Sequence, residues 1–242
     1  METLITQIRE RYQSALENIA DAARAAGREP DSVRLVVVTK AQPLDVVQAA
    51  VQAGAKILGE NYPEESVSKI LSIGPEVEVE WHMIGHVQSR KARLVIEHFD
   101  LLQSLDSLKL AERLNRMALE AGRVLPVMLE CNVGGEESKF GWQAVQEKDW
   151  PQLYPVIETI LGMDNLQTRG LMTMPPLETD PEEARIYFRT LSLLRDHLAA
   201  RYPQADWREL SMGTSADYEV AVQEGATLVR IGSAIVGPRP DR

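Results

Sequence analysis

One short phrase recurs eight times along this chain, and that repetition restricts the fold more than any single motif does. Each copy is a brief apolar run, often β-branched and too short for a globular helix, followed by a stretch with helical spacing. Residues 34–38 (Arg34-Leu-Val-Val-Val38) precede a helix opening at Pro43, 56–58 precede 64–73, 77–84 precede 88–98, and 101–102 precede 107–121. The series continues with 125–131 before 149–162, 168–172 before 181–201, 208–210 before 216–223, and 227–231 before a short 233–236 segment. Strict alternation implies a parallel sheet with helices outside it, and eight units favour closure over an open, doubly wound sheet. The expected fold is α/β, a single (β/α)8 TIM-type barrel domain over 1–242. Ahead of it, Leu4, Ile5, Ile8, Tyr12, Leu16 and Ile19 mark an extra amphipathic helix over 3–26 that caps the barrel's bottom or flanks it.

A chain of 242 residues, 44% of them apolar, is long enough for one sizeable core. A formal charge of −10 and a pI near 5.0 oppose general affinity for nucleic-acid backbones or anionic lipid, so a bound anion needs a local site. The N-terminal stretch mixes acids and bases and lacks the apolar segment of a signal peptide, and no run reaches the length of a membrane span. Cys131 is the one cysteine, which rules out an internal disulfide and a cysteine metal cluster. It reads as a small buried hydrophobe. His82, His86, His98 and His197 form no metal-ligand spacing. The expectation is a cytoplasmic protein without a metal, and, lacking a long exposed apolar stripe, a monomer.

In a closed (β/α)8 barrel the working face lies at the carboxyl ends of the strands, where each apolar run stops. Those ends are polar here: Lys40 after the first strand, Glu60-Asn61-Tyr62 after the second, His82 and Gly85-His86 at the third, and Asn132 after the fifth. The last two end in Ser211-Met212-Gly213-Thr214-Ser215 and Arg230-Ile231-Gly232-Ser233. A lysine at a partly dry barrel mouth loses affinity for its proton, which frees the amine to attack an aldehyde; its plain alternative is a solvated loop lysine. The loops after strands seven and eight are where such barrels seat phosphate, and Ser211, Gly213, Thr214, Ser215, Gly232 and Ser233 offer hydroxyls and backbone N–H groups there. Ser215 could equally cap a helix starting at Ala216, and Ser233 the next short turn. Arg230 lies inside an apolar strand, so a partner is required: a ligand in the mouth, or a core carboxylate such as Glu130. Asn61 and His82 could hydrogen-bond a ring hydroxyl or a phosphate; for His82 a packing role is the alternative.

Several segments together resemble the pyridoxal phosphate homeostasis proteins. They are Val36-Val-Val-Thr-Lys40, Gly59-Glu-Asn-Tyr62, Trp81-His-Met-Ile-Gly85 with Gln88, Glu137-Ser-Lys-Phe-Gly141, Arg169-Gly-Leu-Met172, Leu210-Ser-Met-Gly213 and Val229-Arg-Ile-Gly-Ser233. The resemblance implies a barrel like the N-terminal domain of alanine racemase, pyridoxal 5'-phosphate carried on Lys40 as a Schiff base, and Ser211, Gly232 and Ser233 near its phosphate. It also implies Arg230 beside the ring nitrogen, where a fixed positive charge would keep that nitrogen unprotonated and the ring a weak electron sink. Lys139 matches a family lysine that hands cofactor on or off. Departures from the pattern are Thr214 in place of Met, Arg90 in place of Asn, and Val236 in place of Phe.

Three classes of function follow, the plainest being a metabolite-sensing scaffold whose partner protein matters more than its ligand. A binding protein would capture the reactive aldehyde and deliver it to apo-enzymes by transient contact. A catalyst would be a pyridoxal phosphate-dependent amino-acid racemase or a Schiff-base aldolase. Racemization needs an acid or base on the face opposite Lys40, for which His82, Tyr62 and Tyr218 are the candidates. The resemblance to alanine racemase would further imply a second, β-rich domain, and with five residues after Gly237 the expectation is that there is none. The expectation is therefore the binding and delivery role.

Overall fold

The computed structural model describes residues 1–176 and 178–239; Leu177 and the end of the expected 1–242 span lie outside the described residues. Its strands are β1 (Arg34–Val38), β2 (Ile57–Glu60), β3 (Glu80–Met83), β4 (Leu101–Leu105), β5 (Leu125–Asn132), β6 (Trp142–Gln143), β7 (Leu166–Met172), β8 (Glu209–Ser211) and β9 (Leu228–Ile231). All but β6 form one closed parallel ring in chain order, with β9 hydrogen-bonded back to β1. This is the (β/α)8 barrel the alternation predicts. The two-residue β6 pairs with the end of β5 outside the ring, Cys131 opposite Trp142. So short a strand leaves no periodic signal.

The helices are α1 (Glu2–Ala25), α2 (Leu44–Gln52), α3 (Pro63–Ile73), α4 (Ala92–His98), α5 (Leu108–Glu120), α6 (Tyr154–Leu161), α7 (Arg185–Arg201), α8 (Tyr218–Gln223) and α9 (Ser233–Val236). In α5 the buried Leu110, Ala111, Leu114, Met117 and Ala118 recur at helical spacing and turn one face to the sheet. Of the helices that start later than their periodicity suggests, α4, α6 and α7 do so because 3-10 turns at 89–91, 147–153 and 181–184 precede them. Pro151 explains the longest, since it can donate no hydrogen bond inside an α-helix. The expected strand over 77–84 shrinks to β3, while the one at 101–102 extends to Leu105.

The last unit of the barrel supplies only the four-residue α9, and α1 fills the space it leaves. Of the two expected positions, α1 takes the flank, packed against α8, α2 and α9 through Ile8, Tyr12 and Ile19. Arg28 secures this side by donating to the carbonyls of Val222 and Ala226 at 2.6 and 2.8 Å.

Strand alternation divides the interior into two sets. Leu35, Val37, Leu58, Leu102, Leu129, Leu171 and Val229 face the helices and belong to the main apolar core. Val36, Ile57, Leu101, Met128, Met172 and Leu228 form a separate cluster enclosed by the ring. On the inward parity of these strands the same rows continue into polar side chains, among them His82, Gln103, Glu130, Ser211 and Arg230, all buried.

Candidate functional site

The inward row of β1 runs Val36, Val38 and then Lys40, so the strand's own parity aims Lys40 into the barrel mouth. There it joins the wall of a cavity of about 730 Å3 at the carboxyl ends of the strands. The preceding residue is firmly held. Thr39 N donates to Gly59 O at 3.0 Å, its hydroxyl donates to Glu60 at 2.7 Å, and its carbonyl accepts from Lys69 Nζ at 3.0 Å. Lys69 also pairs with the fully buried Glu60 at 2.8 Å. Beyond Lys40 the chain turns sharply: Ala41 has φ +58°, a left-handed conformation that strains any residue with a Cβ, and Gln42 N closes the turn onto Thr39 O at 3.1 Å. Burial, then the positive charges of Arg239 and Arg230, lower the Lys40 pKa, against an opposing pull from Glu60. Among the described residues its amine has no hydrogen-bond or ion-pair partner. It is a half-buried amine biased towards its nucleophilic form.

The loops after β8 and β9, the second of these strands being β1's neighbour in the ring, form a further part of the cavity, with Thr214, Ser215, Gly232 and Ser233 on its wall. Ser215 does not cap a helix at Ala216, because α8 starts at Tyr218 with Asp217 as its N-cap residue. Instead its hydroxyl accepts from Gly232 N at 3.3 Å and ties the two loops together. Thr214 donates through both N and Oγ1 to Asp217, at 2.6 and 3.0 Å, so the hydroxyl at this departure from the family pattern helps to set the loop. Gly213 makes the turn possible: at φ +90° a Cβ there would lie 2.6 Å from Ala221 Cβ. Ser233 is exposed as the first residue of α9.

Arg230 reaches the wall from inside the barrel. Its guanidinium donates to Ser211 Oγ, to Thr173 O at 2.8 Å and to Met174 Sδ at 3.0 Å. All three are neutral; no ion pair with Glu130 forms among the described residues. Burial pushes its pKa down to about 10, which leaves it charged at neutral pH. Asn61, at the end of β2, presents a buried Oδ1 with no hydrogen-bond partner among the described residues, an arrangement that a ligand donor would relieve. Gly85 lets the chain just beyond β3 pass close beside it, since a Cβ there would meet Asn61 O at 2.6 Å.

Of the ten residues singled out for cofactor contact, Lys40, Asn61, Ser215, Arg230, Gly232 and Ser233 line the cavity, while His82, Ser211, Met212 and Gly213 lie beneath or behind its wall. His82 is enclosed in the ring, with Nε2 3.2 Å from Glu80 and Nδ1 2.8 Å from Gln103. Asn132 braces the loop after β5, bonding Glu136 O and Gly135 N, each at 2.8 Å. That loop carries Lys139 to the cavity rim, 3.8 Å from Glu136. Arg90, in the second variant position, donates to Gln88 on the wall at 2.9 Å.

Sequence reasoning treated Glu130 only as a partner for Arg230. It is a wall residue in its own right, on the inward row of β5, and β5 stands opposite β1 in the ring. Burial, reinforced by the nearby Asp106, raises its pKa to about 7. Strand parity from Met128 was the available signal. Asp106 in turn holds His86 Nδ1 at 2.5 Å, and the His86 ring stacks on Phe140 at the rim, centroids 3.8 Å apart. Cys131 is buried with its pKa raised to about 12, an inert thiol. Among the described residues no cluster of side chains suits a metal, and no helix is long and apolar enough to cross a membrane.

With this geometry in place, comparisons with known proteins converge. The profile of the family described as "Alanine racemase, N-terminal domain" matches residues 12–240. The pyridoxal phosphate homeostasis protein of Vibrio alginolyticus is 39% identical over 94% of this chain and 97% of its own length. That of Aquifex aeolicus is 38% identical over 95% and 97%. The structure of PipY from Synechococcus elongatus with PLP bound superposes with a TM-score of 0.81 at 33% identity, covering 96% of this chain and all of that one. Alanine racemase of Clostridium difficile shares the fold at 16% identity and a TM-score of 0.70, with this chain spanning 57% of its length. The chain therefore belongs to the alanine racemase N-terminal domain family and, within it, to the pyridoxal phosphate homeostasis proteins.

Proposed function

We propose that this protein binds pyridoxal 5'-phosphate in the mouth cavity, holds it as a Schiff base on Lys40, and serves to buffer the cofactor and deliver it to apo-enzymes. The observation that carries this reading is the placement of an unpartnered lysine amine, its pKa lowered by burial, in one cavity with the Ser215–Gly232–Ser233 wall and the guanidinium of Arg230. The parts fit the group: hydroxyls and N–H donors suit a phosphate, the unpartnered Asn61 Oδ1 suits a hydroxyl, and Arg230 suits a ring nitrogen that carries no proton. In this reading the bound cofactor supplies the aldehyde. Lys40 Nζ attacks its carbon, the C=N bond forms, and the carbonyl oxygen leaves as water. Arg230 lends positive charge without a proton, which leaves the ring a weak electron sink and suits storage better than turnover. Relatives named as homeostasis proteins support the same choice. Lys139 at the rim is placed to meet cofactor on its way in or out. The protein acts as a cytoplasmic monomer, which sedimentation at micromolar concentration checks.

The test is an absorbance spectrum of wild type and Lys40→Ala after pyridoxal phosphate is added, followed by borohydride reduction and peptide mass spectrometry. Long-wavelength absorbance in wild type alone, with the adduct on Lys40, is expected. A colourless wild type without adduct would sink the proposal.

Glu130 favours a second reading, a racemase-type proton transfer, because a carboxyl with a pKa of about 7 stands on the strand opposite Lys40. If it operates, the loaded protein exchanges the α-hydrogen of alanine for deuterium, and Glu130→Gln abolishes the exchange.

A further inference from the structure

Three fully buried polar side chains inside the ring, His82, Gln103 and Ser211, join the exposed Glu80 at its floor to Arg230 at its mouth in one continuous path. Glu80, at the start of β3, meets His82 Nε2 at 3.2 Å; His82 Nδ1 meets Gln103 Nε2 at 2.8 Å; Gln103 Oε1 meets Ser211 Oγ at 2.6 Å; and Ser211 Oγ meets Arg230. His82, Gln103 and Ser211 are fully buried, so each must satisfy its polar atoms within this path.

One direction satisfies every group. An arginine can only donate, so Ser211 Oγ accepts from Arg230, and its single O–H finds its acceptor in Gln103 Oε1; with the amide reversed that O–H would be buried without one. This sets the amide with its NH2 towards His82. Nδ1 must then carry a lone pair, which places the ring proton on Nε2, donating to the Glu80 carboxylate. The ionisation states agree. Burial lowers the pKa of His82 and keeps the ring neutral, against the pull of Glu80 and Asp100 and with the help of Arg34; the bond from His82 holds Glu80 below the usual carboxylate range. Arg34 links the floor further, reaching Glu209 at 2.9 Å and Glu80 at 3.6 Å.

We propose that His82 is a positioning residue for the mouth: through Gln103 and Ser211 it fixes which way the donors of Arg230 point, although it touches neither the cavity nor any ligand in it. A second proton on His82 Nδ1 would confront the Gln103 NH2, force the amide to turn, and leave Ser211 facing a donor in place of an acceptor. The state of the floor is thereby linked to the electrostatics of the mouth. The proposal rests on the cofactor reading only for its consequence at the ligand, and its internal logic holds without one.

The experiment has two arms. In the apo protein, 15N-histidine NMR is expected to show His82 as the neutral Nε2–H tautomer at pH 6 to 8, and Ser211→Ala to make it titrate in that window, because the freed amide can turn its oxygen to the ring. An Nδ1–H tautomer in wild type, or no response to Ser211→Ala, overturns the wire. In the second arm pyridoxal phosphate is titrated into wild type, His82→Leu and His82→Asn. His82→Leu, which removes the acceptor facing Gln103, should weaken binding roughly five- to tenfold and shift the absorbance of the bound ring, and His82→Asn, which restores an acceptor, should recover both. A folded His82→Leu with wild-type spectrum and affinity overturns the positioning role. If wild type takes up no pyridoxal phosphate, the cofactor reading fails by itself while the NMR arm still decides the wire.

Discussion

Two buried cations near the barrel mouth are held in opposite ways. Lys69, on α3, is paired with the fully buried Glu60 at 2.8 Å, and its remaining bond goes to the Thr39 carbonyl. Arg230, on β9, is at least as buried, yet its partners are a hydroxyl, a carbonyl and a thioether. A carboxylate partner cancels charge; neutral acceptors orient a charge and leave its field intact. Lys69 is therefore part of the frame that locks the strand end before Lys40, and Arg230 is a source of potential for whatever occupies the mouth.

The largest effect should come from breaking the cancelled pair. Lys69→Met leaves the Glu60 carboxylate buried without its counter-ion and should cost about 3–5 kcal/mol in denaturant unfolding. A loss below about 1 kcal/mol would mean that water reaches Glu60. Arg230→Leu should behave differently, costing about 1–2 kcal/mol because only the bonds to Ser211, Thr173 and Met174 are lost, while borohydride-trappable loading of Lys40 falls at least tenfold. Equal effects of the two variants on stability would erase the contrast.

Glu130 sharpens it through pH. Its folded pKa of about 7 lies above the ordinary 4.5, so its contribution to stability is fully present below pH 4.5 and is lost as pH rises through 7. Glu130→Gln removes that dependence: it should match wild type near pH 4.5 and exceed it by about 1–3 kcal/mol at pH 8. Parallel stability curves would show that the carboxyl is solvated. The smallest effect belongs to the turn after Lys40. Ala41→Gly relieves left-handed strain of about 1–2 kcal/mol but adds about 0.5–1 kcal/mol of unfolded-state freedom, so a net gain below about 1 kcal/mol is expected in thermal unfolding. A clear destabilisation would show that the Cβ packs usefully.

Much of this was open to a reader of the sequence, for definable reasons. Lys40 and Ser233 stand where apolar runs stop and Arg230 interrupts one just before its end, and a barrel puts those points at one mouth. The hydroxyl-rich loops after the last two strands carried their own chemical signal. What escaped notice had a weak local signature or none. Gln103 and Lys69 are ordinary polar residues until the ring closes and α3 docks, and Glu130 looked like ballast for Arg230 because no spacing rule places residues on opposite strands of a ring. His82 was read towards the cofactor from its type and its place at the end of the third apolar run, with packing as the alternative. In the structure it lies in the floor-to-mouth path, because strand β3 turns it inward two residues above Glu80.

Alternation of short strands and helices, a property of the chain itself, determined the architecture and the rim on which chemistry can occur, because backbone hydrogen bonding and burial of one face permit few other solutions. Which polar groups meet inside that ring was decided only by tertiary structure. Closure brings β3, β4, β8 and β9 within hydrogen-bond reach across gaps in sequence as long as the 108 residues between Gln103 and Ser211. In that dry interior a polar atom must find a partner from whatever strand happens to face it.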